Sequence, residues 1–307
     1  MTGAHWSVLL VYLAFTLAAT LLALARRRLR PGAGGESVWR KYPGYILINL
    51  VFLATSWLPA GWHALTLLLA LLGGLAAYEM ARGVLTPAVF ASARGARNLA
   101  TVLPVVTTVL VAVADWLEPA SWLRAWLAVL LVFVVINTLI AEPAYYGPRA
   151  LAVAGCLVYL PICLAAYVWL RQTDASGFQA AFLYLVVATN DALAQVTGQL
   201  LGKRPLAPRL SPAKTVEGAL GGLLFAAGMG AALAGTLGWN APTGGLLGLL
   251  IGLAGLAGDL TASAWKRALG LKNFSSLLGP QGGVLDRFDA LILAAPVYYL
   301  LMTWSAH

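Results

Sequence analysis

Apolar runs of about 20 residues recur along the whole chain, and each can cross the roughly 30 Å hydrocarbon core of a bilayer as a helix. The stretch from Trp6 to Ala25 contains no charged residue at all. Lipid offers no hydrogen bonds, so a spanning segment must satisfy its backbone internally, and runs of this length do so as α-helices. Of the 307 residues, 61% are hydrophobic and 10% charged, against about 25% charged in a soluble globular chain. The sequence therefore predicts an all-α polytopic membrane protein, with one integral membrane domain over residues 1–307. Its N-terminal helices occupy 1–170, and the remaining helices with their inner-face loops 177–307.

Ten helices are expected, at 6–25, 44–59, 62–81, 98–117, 122–141, 149–170, 177–201, 217–237, 244–265 and 286–304. The first could be mistaken for a secretory signal, but its basic cluster Arg26-Arg27-Arg28-Leu29-Arg30 follows the apolar stretch instead of preceding it. With the N-terminus outside, eighteen of the twenty Lys and Arg fall on the inner side, leaving Arg124 and Arg171 outside. That is the asymmetry of the positive-inside rule. Both termini are then outside, and the protein is placed in the cell (inner) membrane as a multi-pass chain. The net charge of +9 is accounted for by this topology and by anionic membrane lipid, so no nucleic-acid partner is called for. Cys156 and Cys163 read as packing residues of one apolar helix, and His5, His63 and His307 have no partner motif.

Acidic residues are more informative by position than by number. Glu36, Asp115, Glu118, Glu142 and Asp174 fall in loops or at helix ends. Glu79, Asp191, Glu217, Asp259, Asp286 and Asp289 fall within apolar helices or at their inner ends, where a carboxylate is costly unless paired, hydrated or bound to a cation. Asp286 and Asp289 are three apart at the start of the last helix and project to one side, where the positive end of the helix dipole favours anions. With Asp259 they could converge on a divalent cation, and hard oxygen ligands of this kind suit Mg²⁺. The competing reading is an internal ion-pair network with Lys266, Arg267 and Arg287.

The segment from Lys272 to Gly283 is too polar and glycine-rich to span lipid. Gly282 and Gly283 permit close backbone approach to a ligand, and Lys272 can meet a phosphate. A second inner segment matches it chemically: Ser211-Pro212-Ala213-Lys214-Thr215-Val216-Glu217-Gly218. There Ser211 or Thr215 can cap the following helix, Glu217 suits its first turn, and Lys214 can meet an anion. Gly218, Gly221, Gly222, Gly228 and Gly230 include small-xxx-small spacings that suit close helix packing.

These residues resemble the signature of the phosphatidate cytidylyltransferases, or CDP-diacylglycerol synthases. Ser263-Ala264-Trp265-Lys266-Arg267, then Lys272, then Gly282-Gly283-Val284-Leu285-Asp286-Arg287-Phe288-Asp289 carries the likeness. The Ser211 to Gly218 segment, Gly258-Asp259-Leu260, and Asp191 ahead of a Gly-Lys-Arg loop add to it, and Glu79 matches a family acid. The resemblance implies transfer of a cytidylyl group from CTP to phosphatidate or a related lipid phosphate in phospholipid biosynthesis, with pyrophosphate released. It implies Mg²⁺ held by Asp259 and Asp286 with help from Asp289, and catalytic roles for Lys266 and Arg287. Ser211, Lys214, Thr215, Glu217, Lys272, Gly282, Gly283 and Asp191 would contact substrate on the cytoplasmic side. Asn273 stands where the family usually has Asp, and Gln281 where it has His. A homodimer is left open, as are a transporter reusing the same polar cavity, a family member of altered substrate, and a catalytically silent scaffold.

Overall fold

The computed structural model describes residues 3–29, 35–58, 63–85, 94–140, 143–174, 176–275, 277–278 and 282–304. Gln281, Glu142 and His307 lie outside them, as do the side chains of Glu36 and of Arg26 to Arg30. The chain divides into two compact units: Met1–Trp57, Ser176–Ala264 and Leu300–His307 form one, Leu58–Ala175 and Trp265–Tyr299 the other. Each unit draws on both halves of the sequence.

The helices are α1 (Gly3–Leu29), α2 (Gly35–Trp57), α3 (Ala64–Leu85), α4 (Arg94–Val113), α5 (Pro119–Ile140), α6 (Pro143–Val153) and α7 (Leu160–Thr173). They continue as α8 (Phe178–Leu201), α9 (Val216–Leu233), α10 (Ala241–Ala268) and α11 (Val284–Trp304). A π-helical stretch, Ala154–Tyr159, joins α6 to α7 into one helical run. Each of the ten expected helices falls on one such run. Among the described residues, seven helices are long and apolar enough to cross a membrane, and Pro43–Trp57 and Asn98–Val113 are shorter apolar helices. Leu10, Leu13, Leu17 and Leu21 lie exposed along α1, as do Leu123, Leu127 and Leu131 along α5. Such stripes, costly in water, are what lipid covers. The protein is an all-α polytopic membrane protein.

The sequence reading missed one element. Pro205–Ala207 (β1) and Ser211–Thr215 (β2) pair as a short antiparallel ribbon, with Pro205 opposite Thr215 and Ala207 opposite Ser211. Proline fits there because an edge strand needs no donor on its outer side.

In the first unit, glycines let helices approach to backbone contact, as the small-xxx-small spacing predicts. A Cβ on Gly222 of α9 would lie 2.8 Å from the Asn190 carbonyl of α8, and one on Gly230 would lie 2.1 Å from that of Gly244 in α10. A buried polar chain ties α1, α2 and α8 together. The Tyr184 hydroxyl donates to Asn49 Oδ1 at 2.6 Å, and Asn49 Nδ2 donates to Tyr12 Oη at 3.3 Å.

In the second unit the π stretch alters the helical bonding, and side chains supply donors to its carbonyls. Thr107 Oγ1 donates to the Cys156 carbonyl at 2.7 Å and Trp126 Nε1 donates to that of Leu157 at 2.5 Å. Cys156 and Cys163 are buried thiols, in line with a packing role. His63, for which no partner was expected, pairs with Asp115, which also accepts from Gln172 Nε2 at 3.2 Å.

Gly155 is the tightest point of the π stretch: a Cβ there would lie 2.0 Å from Met80 Sδ and 3.0 Å from the Trp265 ring. Gly155→Ala is expected to destabilise the protein by about 1–3 kcal/mol, the usual cost of overpacking a filled core. Thermal unfolding in detergent micelles reads this as a lower midpoint; an unchanged midpoint would mean that the π stretch relaxes freely.

Candidate active site

In the first unit the polar segment after α8 folds back on itself. Glu217, in the first turn of α9, accepts the backbone N–H groups of Lys203 at 2.9 Å and Arg204 at 3.2 Å through one carboxylate oxygen. The Val216 N–H donates to the Arg204 carbonyl at 2.9 Å, closing the base of the ribbon. Of the two capping candidates, Thr215 is the N-cap, its Oγ1 accepting the Gly218 N–H at 3.1 Å, whereas Ser211 opens β2. These bonds fix β2, and β2 carries Lys214. The Lys214 ammonium pairs closely with Asp259 Oδ2 of α10, and the Ser263 hydroxyl lies 3.4 Å from Asp259 Oδ1. Both side chains of the pair remain 26% exposed, so they stay within reach of a ligand. Asp191, on α8, accepts from Asn190 Nδ2 at 3.3 Å.

In the second unit the start of α11 is organised around two carboxylates. Asp286 Oδ1 accepts from the Lys266 ammonium at 2.8 Å, and its Oδ2 accepts the N–H groups of Phe274 and Gly283, each at 3.0 Å. The Lys266 and Asp286 side chains are only 12% and 8% exposed, and Lys266 also lies 4.0 Å from Asp289 Oδ2. Asp289 is buried, with Oδ1 accepting the Ala290 N–H at 2.8 Å. Arg287 is half-buried, while Lys272 and Asn273 are exposed on the connecting loop.

The other carboxylate is Glu79 of α3, 2% exposed. It accepts the N–H groups of Val284 and Leu285, both at 2.9 Å, and the Ser275 hydroxyl at 2.5 Å. The sequence flagged Glu79 as a costly carboxylate and a match to a family acid, but gave it no role. Its partners lie about two hundred positions away, beyond any local pattern.

The two glycines have definite reasons to be there. Gly282 has a φ of +85°, a region that only glycine enters freely. A Cβ on Gly283 would lie 2.5 Å from Glu79 Oε2, so the close approach that was expected toward a ligand is made toward this carboxylate.

The competing ion-pair reading is thus realised in part, through Lys266 with Asp286, whereas Asp259 pairs with Lys214, which that reading did not include. Among the described residues, no three or more His, Cys, Asp or Glu gather into a ready-made metal cage. Mg²⁺ seldom needs one, since it is commonly held by one or two carboxylates together with substrate phosphates.

Residues 40–305 match the cytidylyltransferase family. The chain belongs to that family. It is 39% identical over 146 residues to the phosphatidate cytidylyltransferase of Aquifex aeolicus (strain VF5), which is 48% of this chain and 55% of the relative. It is 41% identical over 136 residues to the enzyme of the same name from Brucella abortus (strain 2308), covering 43% of this chain and 49% of the relative. It is 30% identical over 188 residues to the uncharacterized protein YnbB of Escherichia coli (strain K12), covering 59% and 63%. The chain therefore spans about half to three-fifths of the length of these relatives. The family match takes in every candidate residue in both units, from Glu79 to Asp289.

Proposed function

We propose that this cytidylyltransferase transfers the cytidylyl group of CTP to phosphatidate or a closely related lipid phosphate. An oxygen of the lipid phosphate would attack the α-phosphorus of CTP, the bond from that phosphorus to the β-phosphate oxygen would break, and pyrophosphate would leave with the bonding electrons. The products are CDP-diacylglycerol and pyrophosphate. Family membership and the printed names of the Aquifex and Brucella relatives support the reaction class. Helices long and apolar enough to cross a membrane support a membrane lipid as the acceptor, since it would lie beside the protein.

The observation that carries this reading is the almost fully buried Lys266–Asp286 pair at the start of α11. A lysine ammonium has three donors, and one of them serves Asp286, so Lys266 keeps capacity for a phosphate oxygen. Lys214 is in the same position beside Asp259. Little covalent help is needed for phosphoryl transfer, and positioning with charge neutralisation supplies most of the rate.

Each unit offers hard carboxylate oxygens of the kind that suit Mg²⁺: Asp259 in the first, and Asp286 with Asp289 near the same lysine in the second. When bound, Mg²⁺ would polarise the phosphates and neutralise charge on the leaving pyrophosphate. The chain itself contributes orientation and cations: Lys266, Arg287 and Lys214 to hold phosphate oxygens, and Lys272 as an exposed cation beside them in sequence. Glu217 and Thr215 hold the ribbon that presents Lys214, and Ser211 and Asp191 complete the substrate-binding set. The bias of Lys and Arg to one side of the expected helices supports a cytoplasmic face, where CTP is available.

The test is CTP incorporation by purified protein in liposomes containing phosphatidate and Mg²⁺. CDP-lipid and pyrophosphate are expected in equal amounts. No product from the protein and none from an Asn273→Asp/Gln281→His variant would overturn the proposal. Product from that variant alone would show that this chain acts on a different lipid phosphate, and flux of lipid without CTP would indicate a transporter.

A further inference from the structure

A helix begins with backbone N–H groups that no residue of its own can accept, and the residue before the first turn commonly satisfies them with a side chain. In α11 that residue is Gly283, which has no side chain. The acceptor comes instead from α3: Glu79 takes the N–H groups of the first two helical residues, Val284 and Leu285, on separate carboxylate oxygens. Asp286, the third helical residue, reaches back to the Gly283 N–H, which is the reciprocal half of a capping box. The box is thus split between distant parts of the chain, with Glu79 in the place of the missing cap side chain.

We infer that Glu79 is a positioning residue, an imported cap that sets the first turn of α11 and so places the Asp286 carboxylate and its Lys266 partner for the transfer. The catalytic half of this inference rests on the proposed function; the structural half does not. Three observations converge on it. Glu79 is 2% exposed, too deep to meet a substrate in this arrangement. Its third donor is the Ser275 hydroxyl, and Ser275 follows by two positions in sequence Asn273 of the exposed loop and by one the Phe274 whose N–H holds Asp286. The same carboxylate therefore anchors both strands of chain that hold Asp286, the loop before it and the helix turn that carries it. Finally, Gly283 is required by Glu79 itself, since a methyl group there would press on Oε2 at 2.5 Å.

Glu79→Gln keeps the size of the side chain, but its amide has one acceptor oxygen in place of two, so one helical N–H keeps its partner and the other faces an NH₂ that cannot accept it. In lipid nanodiscs, amide hydrogen exchange across residues 282–290 is expected to rise about tenfold or more in this variant. Ser275→Ala, which leaves both helical bonds in place, is expected to change it less than about twofold. In the CTP assay, Glu79→Gln is expected to lower kcat by about 30-fold or more while KM for CTP stays within about threefold, because a misplaced carboxylate costs transition-state stabilisation more than nucleotide affinity. Gly283→Ala is expected to depress the thermal midpoint strongly in the natural protein and hardly at all in Glu79→Ala, where the obstructing carboxylate is gone.

Exchange unchanged by Glu79→Gln would overturn the cap. Faster exchange with kcat within about twofold of the natural protein would overturn the positioning role. Inactivity of both the natural protein and the Asn273→Asp/Gln281→His variant would overturn the proposed function, while the exchange and Gly283 experiments would still decide the cap. If Glu79→Gln does not fold, Glu79→Asp, which keeps the carboxylate but withdraws it by one methylene, should show the same split between kcat and KM in smaller measure.

Discussion

Asp286→Asn is expected to lower CTP incorporation by about 10³-fold or more, the scale of several kcal/mol that metal and charge positioning contribute to such reactions. The substitution removes the carboxylate charge and leaves Lys266, 12% exposed, without its partner at 2.8 Å and with only the more distant Asp289 carboxylate at 4.0 Å. Stranding a nearly buried ammonium is destabilising in its own right, so loss of activity alone would be ambiguous. The double variant Lys266→Met/Asp286→Asn separates the two causes. Methionine removes the stranded charge and fills the space with an apolar chain of similar length, so the thermal midpoint should recover toward that of the natural protein. Turnover should not recover if, as proposed, Asp286 holds the metal and Lys266 a phosphate, because neither group returns. Recovery of turnover in the double variant would mean that the pair is only structural. Initial rates in liposomes, read beside unfolding midpoints, distinguish these outcomes.

The helices were legible because membrane insertion leaves a signal in every segment: a run of about 20 apolar residues is both necessary and visible. Their ends were less so. The fourth helix was expected to reach residue 117 but stops at Val113, where the N–H groups of Ala114 to Trp116 turn to carbonyls three residues back. The ribbon at 205–215 carries no alternation of apolar and polar residues, and its fold-back rests on contacts that the sequence does not display, among them the Glu217 carboxylate on the Lys203 and Arg204 amides. For the site, charge in apolar surroundings picked out Asp259, Asp286 and Asp289 with Lys266, but did not pair Lys214 with Asp259. What it could not show was the role of Glu79, because a cap is normally sought one residue before a helix and this one comes from α3. Nor could it assign Gly283, whose need for space arises from that same distant carboxylate. Local physics is written in local sequence; a contact spanning two hundred residues leaves only an unexplained acid at one end and an unexplained glycine at the other.

Lys214 and Asp259 offer the second large effect, and here magnitudes separate catalysis from stability. Each side chain is 26% exposed, so the pair is partly screened and contributes no more than about 1 kcal/mol to folding. Breaking it should therefore move the unfolding midpoint by only a few degrees. Activity should respond on another scale: about 10²-fold lower for Lys214→Met and about 10³-fold lower for Asp259→Asn. If the two act on the same phosphate and metal, the double variant Lys214→Met/Asp259→Asn should be little worse than Asp259→Asn alone, because the second substitution removes a group whose partner has already been lost. Independent action would multiply the losses to about 10⁵-fold. A multiplied loss would show that the ribbon's lysine and the α10 carboxylate meet in the folded protein without sharing a step, and the role of Lys214 would then reduce to holding β2 against α10.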